Sequence, residues 1–410
     1  MFELDPIIFQ LSNGIRVVYQ KRDAFVAHLG VMIFAGSRFE LPEEEGLAHF
    51  IEHCIFKGTK IRIAFDIFTD LDSVGGELNA YTNKEEICVH ASFRKTHFSI
   101  ASELLGDIVQ NASFPEEEIE KEKEVVLDEI ISYLDSPSER IYDDFEASLF
   151  KGNSLGYNTL GTKKTVSGFK RDVLKNYLER YFIPANMIIS FVGGISIDEL
   201  RQTLEEDFGS FKGEGSLPIS HPVSPFESFK IREKKSNFQT HTVIGGMAPS
   251  YHEDERRAMT LLTNVLGGPA LNSRLILSIR EKHGYAYNIE ANYTSYTDVG
   301  FWSVYMGTDK KYLNKALKLI YNEFDLIRKN KLTTDELSQA KEQLKGHIAL
   351  SLDSNLELMF SLAKSVMIHN RVDSVQEVYS QIDSIDSDEV NAIANRYFGE
   401  DNLAEMIYEF

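Results

Sequence analysis

The chain has 410 residues and a mass of 46.6 kDa, more than one hydrophobic core usually organises, so two or three domains are expected and one small domain is excluded. With 43% hydrophobic and 26% charged residues and only 10 Pro, it reads as a water-soluble globular protein rather than a disordered one. A formal charge of −20 repels phosphate backbones and anionic membrane surfaces, which argues against a nucleic-acid partner.

From the N-terminus, Met1 to Leu11 is acidic at Glu3 and Asp5 and lacks a basic region followed by a long apolar stretch, so no secretory signal is expected. No apolar run approaches the roughly 18 to 20 residues that span a bilayer, and cytoplasm is the default compartment. Ile7 to Gln20 holds two β-rich runs around Ser12-Asn13-Gly14, the turn chemistry of a hairpin. His28 to Ala35 is strand-like, Gly46 to Phe56 has helical periodicity, and Val74 to Phe93 reads as a Gly-Gly turn followed by extended structure. A long helix is expected from Ser113-Phe114-Pro115, past Glu129, toward Ser136-Pro137. Cys54 and Cys88 are too few for a disulfide framework and are expected to be buried thiols. His28, His90 and His97 lie in or near strand-like stretches and read as structural.

Lys212 to Pro225, rich in Pro, Gly and Ser, reads as a linker between a domain at 1–211 and another at 226–410. The two halves resemble each other. Ala48 in the first helical stretch matches Ala258 at an offset of 210, and Leu-Asp-Ser recurs at 134–136 and 352–354, an offset of 218. An internal duplication of about 200 residues is therefore expected, with strands and helices interleaved in α+β layers.

His49-Phe50-Ile51-Glu52-His53 is the sharpest chemical feature. Residues i and i+4 share a helix face, so His49 and His53 can offer two imidazoles to one cation with Glu52 beside them. This His-x-x-Glu-His pattern is the inverzincin signature. A hydrolytic zinc site takes three protein ligands and leaves a position for water, so a third must come from elsewhere. The acidic run from Glu120 to Glu129 offers Glu120, Glu122, Glu124, Asp128 and Glu129. Glu122 and Glu129 lie two turns apart on one face, but the residues alone do not choose among the five.

With these motifs the chain resembles the M16 metallopeptidases, a family that includes insulin-degrading enzymes and pitrilysin, and especially their half-length, mitochondrial-processing-peptidase-like type. The family's ligand Glu lies about 76 positions beyond the second His, with another Glu seven residues before it. Glu129 and Glu122 stand at those intervals from His53. The resemblance thus implies one zinc per chain on His49, His53 and Glu129, with Glu122 supporting a ligand and Glu52 as general base. Gly46-Leu47-Ala48 and Phe56-Lys57-Gly58-Thr59 flank the motif as they do in the family. Gly75 to Thr82 resembles its edge strand, implying main-chain hydrogen bonds from Asn79 and Ala80 to a peptide lying as an added strand. Tyr181 to Gly193 resembles the strand that closes the first half.

Ser273-Arg274-Leu275 and the stretch from Arg280 to Tyr287 continue the likeness. There the family's Arg and Tyr, seven residues apart, imply Arg280 on the substrate backbone and Tyr287 at the oxyanion. The chain departs from the family in Lys151 to Gly156, which replaces a His-Pro-Leu-Gly text. Met259 and Thr263 stand where the first half has His49 and His53, so the second half should bind no zinc in that way.

The expected fold is α+β: two similar domains, each a mainly antiparallel sheet packed with helices in the manner of LuxS and the processing peptidases, forming half of a clamshell. The expected function is a zinc-dependent endopeptidase acting on peptides or unfolded segments in a closed chamber. In full-length relatives the zinc lies in the first of four domains and the Arg/Tyr pair in the fourth. The resemblance therefore implies a homodimer with Arg280 and Tyr287 acting in trans. The competing expectation is a non-catalytic peptide-binding or scaffold subunit, a role in which zinc or Arg/Tyr motifs are usually broken.

Overall fold

In the computed structural model, the turn at Asn13-Gly14 is closed by the Asn13 side chain, whose oxygen accepts from the Ile15 N–H at 3.2 Å, while Gly14 takes φ +92°. It joins β1 (Ile7–Gln10) to β2 (Arg16–Lys21) as the expected hairpin, with Ile7 opposite Tyr19 and Gln10 opposite Arg16. The structure describes residues 5–215, 217–235 and 238–409. Glu3 of the N-terminal reading and Ser216 of the linker lie outside the described residues.

The further strands of the first half are β3 (Val26–Ile33), β4 (Glu77–Thr82), β5 (Ile87–Arg94) and β6 (Met187–Gly193). They form one sheet in the order β1-β2-β6-β3-β5-β4, antiparallel except for β2 beside β6. Strand side chains alternate between faces, and here both faces are apolar. One face, with Val17, Leu29, Val31, Val89 and Ala91, shares one core with helices Leu47–Cys54 and Phe98–Asn111 and with the apolar side of Glu116–Leu134. The other, with Val18, Met32, Cys88, Ile188 and Val192, packs on Leu358, Met359, Leu362 and Val366 of helix Asn355–His369. Ser190 Oγ donates to the Met359 carbonyl at 2.8 Å, and Arg16 to the Val366 carbonyl at 3.1 Å.

The compact units therefore differ from the chain-order domains expected at 1–211 and 226–410. One unit comprises residues up to Ile131 with Tyr157–His221 and Leu350–Val375. The other comprises Ser132–Gly156, Pro222–Ala349 and the chain from Gln376 onward. Composition marks a linker, but it does not record which sheet a helix covers.

The second unit contains β7 (Lys230–Lys234), β8 (Thr240–Ala248), β9 (Ala286–Ser295), β10 (Gly300–Thr308) and β11 (Ala404–Glu409), in the order β7-β11-β8-β10-β9. Only β7 beside β11 is parallel. The order and senses repeat those of β2-β6-β3-β5-β4, so the duplication extends to the topology. Helix Pro137–Leu149 packs Ile141, Phe145 and Leu149 on Val243, Tyr305, Met406 and Tyr408. Each Leu-Asp-Ser thus precedes a helix that covers the sheet built from the other half of the sequence.

Cys54 and Cys88 are both buried, and burial pushes their thiols up. Among the described residues, no helix is long and apolar enough to cross a membrane.

Leu362→Ala, at a site 2% exposed, should cost about 2–5 kcal/mol of stability and lower hydrogen-exchange protection in β3 and β6. Protection lost only within residues 226–410 would contradict this packing.

Candidate metal centre

Helix Leu47–Cys54 turns Leu47, Phe50, Ile51 and Cys54 into the core, a spacing that leaves His49, Glu52 and His53 on the adjoining face. Its start is pinned twice. Glu40, 5% exposed, accepts from the Gly46 N–H at 2.9 Å and the Ala48 N–H at 2.7 Å, placing a carboxylate at the positive end of the helix. Burial raises the pKa of Glu40 well above the usual carboxylate range, and the two backbone donors oppose that rise. Gly46 takes φ +90°, and a Cβ there would fall 2.4 Å from Gly161 Cα, so this contact requires glycine.

Helix Glu116–Leu134 buries Ile119, Glu122, Val126 and Ile130 along one stripe. Glu122 is buried, whereas Glu129 is partly exposed. Glu129 Oε2 lies 3.8 Å from His49 Nε2 and 3.5 Å from His53 Nε2. One potential ligand atom from each of the three residues lies within 4.8 Å of the others, the one such group among the described residues. Glu120, Glu124 and Asp128 are exposed and stand outside it. The geometry thus selects the carboxylate that periodicity left open.

The residues fit a zinc ion. Ligand atoms at bond lengths of about 2.0–2.2 Å in a tetrahedron are separated by about 3.3–3.6 Å, close to the distances here. Burial, followed by the neighbouring His53, lowers His49 from 6.5 to about 4, keeping its ring neutral with a lone pair to give. Its Nδ1 is buried with no hydrogen-bond partner among the described residues. His53 Nδ1 lies 3.2 Å from Glu122 Oε2, the carboxylate–imidazole pairing that orients a metal ligand.

Glu52 stands beside the cluster. Its pKa is raised chiefly by burial and further by Glu129, against a hydrogen bond from Thr82 and the proximity of His53. Thr82 belongs to β4, the outermost strand of its sheet, so the helix and the strand edge meet at Glu52. Asn79 is exposed on β4, and its side-chain oxygen accepts from the Ala80 N–H at 2.8 Å.

Arg280 and Tyr287 fall in the second unit. The Arg280 guanidinium lies 5.5 Å from the Tyr287 ring centroid, and Tyr287 is 83% exposed near the start of β9, an edge strand. In helix Arg256–Gly267, Met259 is buried and the Thr263 hydroxyl donates to the Met259 carbonyl at 3.0 Å. Glu40, and Lys57, whose Nζ lies 2.7 Å from Glu122 Oε1, were not identified from sequence. Lys57 lay within a flanking text that carried no role, and nothing in one dimension links Glu40 to the helix it caps.

In chelator, acid should weaken the protein through His49. The unfolded ring takes its proton near pH 6.5 and the folded one near 4, so stability falls as pH drops between these values, by on the order of 2 kcal/mol at pH 5. Urea midpoints of wild type and His49→Gln at pH 7 and pH 5 test this: the variant should show the flatter decline. An unchanged decline would place the acid sensitivity elsewhere. Glu40→Ala should cost about 1–3 kcal/mol by the same measure, because it leaves two buried donors unpaired.

Two family models match the chain: the insulinase model, peptidase family M16, over residues 16–163 and the peptidase M16 inactive domain over 168–344. The second match covers the helix that carries Met259 and Thr263. An uncharacterized zinc protease of Bacillus subtilis, YmxG, is 32% identical over 401 residues, 97% of each chain. One from Streptomyces coelicolor is 30% identical over 400 residues, 95% of this chain and 86% of its own. Among solved structures, a protease from Helicobacter pylori shares the fold with a TM-score of 0.92 at 20% identity, over 100% of both chains. Similarity along nearly the whole length, in a chain whose histidine helix and acidic helix bring His49, His53 and Glu129 together, makes this protein a member of peptidase family M16.

Proposed function

We propose that the chain is a zinc-dependent endopeptidase acting on peptides or unfolded segments. The observation that carries this reading is the convergence of His49, His53 and Glu129, with Glu52 beside them, in a chain whose relatives are named zinc proteases. Zinc held by those three side chains would acidify water and polarise a scissile carbonyl.

The chain's own residues supply the rest. Glu52 takes a proton from the attacking water and returns it to the departing amine, a role its place beside His53 and Glu129 allows. The edge strand β4 receives an extended peptide by main-chain hydrogen bonds at Asn79 and Ala80, giving affinity with little sequence demand. As in the family it resembles, Tyr287 stabilises the oxyanion and Arg280 holds the substrate backbone. They do so in trans, in a homodimer that encloses two equivalent sites in one chamber.

Purified protein should hold about one zinc per chain by elemental analysis, and Glu129→Gln should lose most of it. Glu52→Gln should keep zinc while turnover of an unstructured peptide falls by about 10² to 10⁴. Near-normal turnover would remove Glu52 as the base, and a zinc-loaded wild type that cleaves nothing would favour a scaffold. For the trans arrangement, inactive Glu52→Gln mixed with inactive Tyr287→Phe should regain activity after subunit exchange. Demonstrated exchange without recovery would reject it.

A further inference from the structure

We infer that Lys57 is a positioning residue for the metal centre, acting through Glu122 to hold the His53 ring with Nε2 toward Glu129. The inference rests on the zinc reading above and deepens it. Lys57 follows the histidine helix at a tight turn, where its N–H donates to the Cys54 carbonyl at 3.1 Å. The turn is fixed by the next residue, since Gly58 takes φ +154° and a Cβ there would meet Ser113 Oγ at 3.2 Å and Pro115 Cγ at 3.3 Å. Lys57 Nζ is thereby brought to 2.7 Å from Glu122 Oε1, and it also lies 5.9 Å from the Phe68 ring centroid.

Glu122 is 6% exposed and shares its stripe with Ile119, Val126 and Ile130, so its carboxylate is satisfied by protein groups. Lys57 holds Oε1, and His53 Nδ1 stands 3.2 Å from Oε2. An ammonium only donates and a carboxylate only accepts. The ring must therefore donate from Nδ1, which leaves the lone pair on Nε2, the atom 3.5 Å from Glu129. Without Lys57, Glu122 would be a buried carboxylate with one oxygen uncompensated, free to turn and release the ring. The nearby Lys123 is engaged elsewhere, donating to Glu120 at 2.7 Å.

The test compares full-length wild type, Lys57→Met, Lys57→Gln and Lys57→Arg for zinc affinity, by competition with a chromogenic chelator, and for melting temperature in excess chelator. Lys57→Met keeps the chain length without charge or donor and should weaken zinc binding by about tenfold. Lys57→Arg should restore affinity to within about threefold of wild type. Should Lys57→Met not fold, Lys57→Gln carries the same reading, with a loss above threefold. A variant that lowers only the metal-free melting temperature, with zinc affinity within about twofold of wild type, would make Lys57 merely structural and overturn the inference alone. Failure of the wild type itself to bind zinc would overturn the zinc reading, and this inference with it.

Discussion

Both faces of each sheet are apolar, and a sheet of that kind must be covered on both sides before its strands are stable in water. In the first unit the helices between β3 and β6 supply one cover, and they include the histidine helix and the acidic helix. The second cover is a helix drawn from residue 355 onward, and the second unit is completed in the same way by a helix beginning at Pro137. The packing therefore departs from chain order twice, at equivalent points of a duplicated pattern.

The metal centre depends on this burial. A short helix in isolation frays. Here its apolar side lies in the core, Glu40 holds its first N–H groups, and the Gly46–Gly161 approach fixes where it starts. Its polar face then presents His49 and His53 to a second helix whose own buried stripe sets the rotation of Glu122 and Glu129. Glu122, buried on that helix, is shared between Lys57 and His53. A carboxylate that would be costly alone is thereby partnered on both oxygens.

The two halves repeat one topology but differ in what their equivalent helices carry. The equivalent helix of the second unit keeps its apolar face but carries Met259 in the core and Thr263 bonded back to its own helix, so that face gives up ligand chemistry for packing. The edge strand at the equivalent position, β9, instead presents Tyr287 beside Arg280.

The sequence by itself determined the local elements, because hydrophobic period and turn chemistry act over a few residues. The Asn13-Gly14 hairpin, the helix through His49 and His53, and the long acidic helix all form where their patterns put them. It also determined the repeat, since repeated text implies repeated topology, and the pairing of His49 with His53, since i and i+4 must share a face. Periodicity left the five carboxylates open and the spacing shared with family M16 pointed to Glu129, but only the tertiary structure brings that carboxylate to the histidines, because Glu120 to Glu129 differ in rotation about a helix whose placement depends on distant packing. It alone assigned helix Asn355–His369 to the sheet of the first unit, a matter of complementary apolar faces with no one-dimensional mark. Glu40 and Lys57 belong to the same class. Their roles come from polar side chains meeting partners that folding delivers, and single residues carry no pattern by which such meetings can be read.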